Sequence, residues 1–222
     1  MISPNTELVF WFFRHGQCII NTKPERIGGR SAWSPLTSLG VKQANSLGSR
    51  LAAEKIKFDE IYSSPFVRVA QTVLAACLHI ERHPDKVIFV PQLEELDQGE
   101  WEGEERDEIF AKYLKQINYL GPWFRPPGGE SQKTVQRRVS AWFEEEFLHN
   151  EFFLKSEKTL NFAIFGSGMN FKCLFQEITG WDASLTWKFT LDNCSISRFR
   201  FNEQGWFIDC INDTGHLLGL LS

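Results

Sequence analysis

The stretch ELVFWFF, residues 7–13, runs directly into the triplet Arg14, His15 and Gly16. A run of bulky apolar residues that stops at a charge and a glycine is typical of a strand buried on both faces of a parallel sheet. We therefore predict a central first strand here, with a polar triplet at its carboxyl end.

Strand and helix patterns alternate along the rest of the chain. The predicted further strands cover residues 59–63, 86–90 and 159–165, and the alternating tail at residues 194–212 predicts a hairpin. Helices are predicted after Thr37, from Pro65 to about residue 80, and over residues 104–118, 131–149 and 169–179. This order predicts an α/β protein, a three-layer α/β/α sandwich with a mainly parallel sheet, as a single domain over residues 1–222.

Composition excludes several classes of protein. The 222 residues are 42% hydrophobic and 23% charged, which is a typical globular balance. A net charge of -4 argues against a nucleic-acid partner that is bound through phosphate neutralisation. The apolar run at residues 8–13 is too short to cross a membrane and lacks the basic flank of a signal peptide. We expect no membrane association.

The five cysteines are scattered along the chain without CxxC spacing. Neither a disulfide framework nor a zinc site is indicated, and reduced thiols predict a cytoplasmic location. We find no metal-ligand spacing, P-loop or dinucleotide fingerprint after a predicted strand, so we predict no metal and no organic cofactor.

The triplet after the first strand has the chemistry of a phosphate site. Open α/β sheets bind ligands beyond the carboxyl ends of their strands. Arg14 offers a fork of donors that matches phosphate oxygens, His15 can carry a nucleophilic nitrogen at neutral pH, and Gly16 allows close approach of the backbone. The same triplet also fits a charged turn with no further role.

Several motifs occur together and in order. They are RHGQ followed by Asn21, GGRSAWSPLTSLGVKQA, SSPFVRVAQT, LEELDQGEWEG, PPGGES, LDNCSIS and NDTGHL. In this order the chain resembles the histidine phosphatase superfamily, in its phosphoglycerate-mutase-like branch. The resemblance covers almost the whole chain and implies a phosphoglycerate-mutase-like fold and a phosphohistidine enzyme.

The resemblance also implies roles for single residues. His15 matches the residue that attacks phosphorus and is transiently phosphorylated. Arg14, Arg68 and Asn21 match the donors that bind phosphate, and Gly168 is expected to line the same pocket. Arg30 is expected near the mouth, where it would contact a second anionic group.

The motif LEELDQGEWEG supplies the expected general acid and base. The family pattern places a Glu four residues before the Gly of GxWEG, which selects Glu95. This acid would protonate the leaving oxygen and then help water to attack the phosphohistidine. Glu94, Asp97 and Glu100 are the alternatives.

Ser167 departs from the family pattern, which has a second catalytic histidine there. Serine keeps a neutral donor but is shorter than imidazole and cannot become cationic, so activity should fall by about a hundredfold. Ser167 could be an engineered replacement, a natural change compensated by another donor or water, or the mark of a phospho-ligand binder without turnover. A serine-hydrolase elbow would require glycines at Phe165 and Met169.

The resulting hypothesis is hydrolysis of a small phosphomonoester by two displacements at His15, with catalytic roles for Glu95, Arg14, Arg68 and Ser167. The alternatives are a phosphoglycerate-type mutase and a catalytically weak phospho-ligand binder. The short segment between Glu102 and Ser131 favours a phosphatase, since a mutase needs a lid that excludes water. A homodimer is a further possibility that the sequence leaves open.

Overall fold

A single mixed sheet organises the protein. The computed structural model describes residues 1–80 and 84–220. Within them, the sheet has the strand order β3-β2-β4-β1-β5-β6. The strands are β1 (Glu7–Arg14), β2 (Glu60–Ser63), β3 (Val87–Phe89), β4 (Thr159–Gly166), β5 (Ile196–Asn202) and β6 (Gly205–Asp213). The first four are mutually parallel, and β5 and β6 form the antiparallel hairpin at one edge. The predicted α/β fold with a mainly parallel sheet is confirmed.

The longer helices of the described residues follow their predicted order, with shifts at their ends, and the short helix α5 was not predicted. The bounds are α1 (Ser38–Ala53), α2 (Val67–Cys77), α3 (Arg106–Leu120), α4 (Gln132–Phe143), α5 (Glu151–Leu154) and α6 (Gly168–Thr179). Thr37 caps α1 by accepting from Gly40 N, and Ser131 caps α4 by accepting from Thr134 N.

Two predicted helix bounds were wrong. Pro65 precedes α2 instead of lying in its first turn, because Phe66 is still extended and forms the cap. The helix predicted over residues 131–149 ends at Phe143 and continues as a wider π-turn, Glu144–Leu148. In that turn Phe147 is fully buried and packs on Phe143, with ring centroids 4.9 Å apart. The packing of Phe147 accompanies the departure from regular helical spacing.

Alternate residues of β1 bury into two different cores. Phe10 and Phe12 pack with residues of α4 and α6 on one face of the sheet. Val9, Trp11 and Phe13 pack with α1 and α2 on the other face. Each buried side chain of this size contributes about 1.5–3 kcal/mol. The strand is therefore buried on both faces, as its apolar run predicts, and the fold has three layers.

The carboxyl end of β1 lies tightly against α1. A methyl group on Gly16 would be 2.6 Å from the carbonyl oxygen of Gly40, and one on Gly40 would be 1.9 Å from that of Gln17. Neither position accepts a side chain without movement of the backbone. This close approach fixes where His15 leaves the sheet. In the part of the chain that the structure describes, none of the helices has the length and apolar character needed to span a bilayer.

Candidate active site

The candidate site lies at the carboxyl ends of β1 and β4. Arg14 is paired with Gly166 in the parallel register, so His15 and Ser167 follow side by side. The His15 N–H donates to the carbonyl oxygen of Gly166 at 3.0 Å. The strand ends thus bring together two residues that are far apart in sequence, as expected for ligand sites of open α/β sheets.

The contacts of the His15 imidazole define its tautomer. Nδ1 lies 2.8 Å from the carbonyl oxygen of Gly16, which can only accept. Nε2 lies 3.2 Å from Nε of Arg68, which can only donate. The proton therefore belongs on Nδ1 and the lone pair on Nε2. Nε2 is the nitrogen available as a nucleophile.

The surroundings of His15 keep the imidazole neutral. The side chain is only 3% exposed. Burial, followed by the charges of Arg68 and Arg14, holds the pKa of His15 well below its usual value of 6.5. A neutral imidazole keeps its lone pair at physiological pH.

This shift predicts a dependence of stability on pH. Below pH 6.5 the unfolded chain binds a proton at His15 that the folded chain does not bind, so the free energy of unfolding falls as the pH falls. The slope from one such group is up to about 1.4 kcal/mol per pH unit. His15→Asn should therefore flatten the acid side of the stability curve, measured by urea unfolding from neutral pH down to acid pH. An unchanged slope would contradict a buried neutral His15, and His149→Asn, at an exposed position, is the control.

Arg68 is held by the loop that precedes α1. Its side chain is 2% exposed, and Nη1 donates to the carbonyl oxygens of Arg30 at 2.7 Å and Ser31 at 3.0 Å. That loop is held in turn by Glu102, whose carboxylate accepts from Arg30 N at 2.6 Å and Ser31 N at 3.1 Å. Gly29 has φ of +54°, and a methyl group there would lie 2.2 Å from Glu102 Oε1. A chain of hydrogen bonds thus connects Glu102 to the imidazole through Arg68.

Arg14 supplies the second guanidinium. Nη1 donates to the carbonyl oxygen of Leu191, whereas Nε is buried without a hydrogen-bond partner among the described residues. A methyl group on Gly168 would lie 3.6 Å from that Nε and 3.9 Å from Glu95 Oε2. Burial lowers the pKa of Arg14, although the charge of Glu95 opposes this. Gly168 therefore borders a place where a buried donor and a carboxylate converge.

Glu95 lies at the N-terminus of α6. Its Oε1 accepts from the backbone N–H groups of Leu96 at 2.9 Å, Met169 at 3.1 Å and Asn170 at 3.2 Å. Its Oε2 also lies 3.1 Å from Met169 N. The positive end of the helix interacts favourably with a carboxylate there.

The alternative acids lie elsewhere. Glu94 and Asp97 are within 3.5 Å and 3.4 Å of the guanidinium of Arg30, and Glu100 is exposed. Of the four carboxylates weighed from the sequence, Glu95 is the one that contacts α6 beside Arg14. The geometry supports the choice of Glu95.

Ser167 is the cap residue of α6 and is completely buried. Its N–H donates to Oδ1 of Asn170 at 3.0 Å, but its hydroxyl has no hydrogen-bond partner among the residues that the structure describes. Buried hydroxyls are seldom left unpaired, so this one marks a place where a ligand oxygen could bind. Such an oxygen would also lie near His15.

Asn21 is an exposed residue whose side-chain oxygen is held by three hydrogen bonds. Its Oδ1 accepts from Cys18 N at 3.1 Å, Cys18 Sγ at 3.2 Å and Asn193 Nδ2 at 3.2 Å. Asn193 Nδ2 also donates to the carbonyl oxygen of His15 at 3.0 Å. Asn193 falls in the motif LDNCSIS, which the sequence marks without indicating this function.

Arg30 is the predicted site arginine whose guanidinium forms salt bridges with carboxylates. Its guanidinium lies 3.4 to 3.7 Å from the carboxylates of Glu94, Asp97 and Glu130. Its backbone carbonyl, which holds Arg68, connects it to His15. Contact between the Arg30 side chain and a second anion stays a prediction.

One groove in the described part of the chain lies away from this site. It measures about 490 Å³ and is lined by Trp123, Arg137 and Ser140 among others, with no residue of the His15 cluster. We assign the candidate site by its convergent charges and donors, because volume alone carries no chemistry.

The fold is of the α/β class. The site brings a neutral histidine, two arginines and a glutamate together at the carboxyl ends of β1 and β4. The model of the histidine phosphatase superfamily (branch 1) matches residues 10–214. The chain belongs to this superfamily.

Similar proteins include both mutases and phosphatases. A 2,3-bisphosphoglycerate-dependent phosphoglycerate mutase of Rhizobium johnstonii is 36% identical over 153 residues, which cover 66% of this chain and 69% of that protein. The crystal structure of a Bacillus anthracis phosphoglycerate mutase superposes with a TM-score of 0.78 at 22% identity, covering 99% of both chains. A phosphoserine phosphatase mutant of Entamoeba histolytica, in complex with phosphoserine, gives 0.77 at 22% identity over 95% of this chain and 100% of that one. These two structures share the phosphoglycerate-mutase-like fold with this chain.

Proposed function

We propose that the chain hydrolyses small phosphate monoesters through a phosphohistidine at His15. The observation that carries the proposal is the orientation of the imidazole. Gly16 holds the proton on Nδ1, and the lone pair on Nε2 points to the guanidinium of Arg68, with both side chains buried. A phosphate that displaced this contact would meet a nucleophile and a cation together.

The reaction would proceed by two displacements. Nε2 of His15 forms a bond to phosphorus while the ester P–O bond breaks, and the carboxyl of Glu95 gives its proton to the leaving oxygen. Glu95, now a carboxylate, takes a proton from the water that attacks the phosphohistidine; the P–N bond breaks, Nε2 regains its lone pair, and inorganic phosphate leaves. The same carboxyl serves both steps because the water enters where the leaving group departed.

The hydrogen-bond donors around His15 would stabilise the charge on the phosphoryl oxygens. Arg14 Nε and the hydroxyl of Ser167 are buried without a partner in the described chain, so a phosphate oxygen would satisfy both. Arg68 would exchange its contact with His15 for one with the phosphate. Asn21 and Gly168 complete the proposed pocket.

The test is turnover of a panel of phosphate monoesters, combined with intact-protein mass spectrometry of samples quenched in alkali. We expect release of inorganic phosphate and a phosphoryl adduct that acid removes. Absence of both turnover and adduct, with an ester nevertheless bound in calorimetry, would favour a phospho-ligand binder instead. Labelling of Ser167 by a fluorophosphonate would point to serine-hydrolase chemistry.

A mutase is the second candidate, and the 36% identical relative, a phosphoglycerate mutase, favours it. A mutase returns the phosphoryl group to a second hydroxyl, so it must keep water out. Helix α3 lies in the segment between Glu102 and Ser131 and has no fully buried residue. This weighs against α3 as a tightly packed lid that excludes water. Interconversion of phosphoglycerate isomers faster than release of inorganic phosphate would decide for the mutase.

A further inference from the structure

An ion pair between Arg138 and Glu130 lies next to the backbone of Glu95. Arg138, on α4, uses Nη1 to donate to the carbonyl oxygen of Gln92 at 2.7 Å and Nη2 to donate to that of Glu95 at 3.1 Å. The same guanidinium makes a two-pronged pair with Glu130, from Nε to Oε1 and from Nη2 to Oε2, both at 3.0 Å. Arg138 therefore holds the backbone at Gln92 and Glu95 through hydrogen bonds to their carbonyl oxygens.

Glu130 binds the backbone at Asp97, at the other end of the segment of residues 92–97. Its Oε2 accepts from Asp97 N at 3.2 Å, and its own N–H donates to the carbonyl oxygen of Asp97 at 2.8 Å. Burial raises the pKa of Glu130, but the hydrogen bond and charge of Arg138, with further help from Asp97 N and Arg30, outweigh it and leave the pKa lowered. Glu130 is therefore a stable carboxylate partner at neutral pH.

We infer that Arg138 and Glu130 are positioning residues that hold the carboxyl of Glu95 at the N-terminus of α6. The inference rests on the proposed role of Glu95 as general acid and base. Residues 92–97 have no strand partner and only a single short helical turn, so hydrogen bonds from outside must fix their path. Four such bonds come from this pair, and a fifth comes from Asn170 Nδ2 to the carbonyl oxygen of Leu93.

The consequence for chemistry depends on the leaving group. An alkoxide needs a proton as it departs, whereas 4-nitrophenolate leaves without one. A carboxyl displaced by about 1 Å loses on the order of a hundredfold in rate where the proton is needed. A merely structural defect would slow both kinds of substrate alike.

The chain offers a matched control. Arg137 neighbours Arg138 on α4, but its guanidinium lies over the ring of Trp123, 5.2 Å from the centroid, away from Glu95. Arg138→Met and Arg137→Met therefore remove the same charge from the same helix. Arg138→Lys keeps the charge but cannot make the two-pronged pair.

We expect Arg138→Met to lower kcat/KM, which reports the first displacement alone, by about 10 to 100-fold on an alkyl phosphate such as glycerol 1-phosphate and by less than about threefold on 4-nitrophenyl phosphate. Arg138→Lys should lie between Arg138→Met and the parent, and Arg137→Met should match the parent. Added to Glu95→Gln, the Arg138 substitution should cost little more, because both act through one carboxyl. Equal losses of kcat/KM on both substrates, or full additivity, would overturn the inference.

A second measurement does not depend on turnover. The amides of Met169 and Asn170 donate to Glu95, so their hydrogen exchange, followed by NMR, reports whether the carboxyl is in place. In Arg138→Met we expect exchange at these two amides to rise by about tenfold or more, with the interior of α6 unchanged. Unchanged exchange would refute the positioning role even in a chain without phosphatase activity, and altered exchange without turnover would refute only the proposed function.

Discussion

Replacement of His15 by alanine is expected to abolish both turnover and the acid-labile phosphoryl adduct. The substitution removes Nε2, the one proposed nucleophile, and leaves Arg14 and Arg68 in place. Loss of a nucleophile typically lowers kcat by several orders of magnitude, so we expect a fall on the order of 10⁴ or more. The measurement is single-turnover phosphate release combined with mass spectrometry of the alkali-quenched protein.

Binding separates this effect from a damaged pocket. Because the guanidinium groups survive in His15→Ala, inorganic phosphate should still bind, and removal of a buried base that faces Arg68 should not weaken it. Arg68→Met is the counterpart, and it should weaken phosphate binding in calorimetry. His149→Ala, at an exposed position, is the control for histidine content. Turnover that persists in His15→Ala would end the phosphohistidine proposal.

The sheet and the position of His15 could be predicted from the sequence because both follow from local patterns. An apolar run stopped by Arg14 predicts a buried strand end, and β1 ends there. The carboxyl ends of parallel strands lie on the same side of a sheet, so residues that follow two neighbouring strands can come together there. In the structure Arg14 pairs with Gly166, which brings the ends of β1 and β4 side by side.

The supports of the site could not be predicted, because they depend on contacts between distant segments. Arg137 and Arg138 are adjacent and chemically identical, yet one lies on Trp123 and the other holds the backbone of Glu95. Nothing in the local pattern separates them. Glu102 was likewise one acid among many, and its bonds to the backbone of the loop at residues 29–31 exist only in the folded chain.

Ser167→His is expected to raise turnover about a hundredfold, because one preorganised donor at a developing charge is worth about that much. The backbone at Ser167 is extended, with φ of -123° and ψ of 172°, so it accepts any side chain without strain. An imidazole at this cap position would lie on the residue that follows β4, next to the end of β1. It would reach further than the hydroxyl and could carry a positive charge. The measurement is kcat on the best ester of the panel, with thermal unfolding to verify that the buried position tolerates the larger ring.

Two further substitutions at this position test which property of the side chain matters for the rate. Ser167→Asn adds reach and a neutral donor but no charge, so a rise well below that of histidine would show that charge matters. Ser167→Ala removes a hydroxyl that has no partner in the described chain, and a roughly tenfold loss would mean that it donates to the phosphate in the complex. If Ser167→His folds but is no faster than the parent, a donor at this position does not limit the rate. The proposal that Ser167 limits the rate would then be wrong, while the role of His15 would stand.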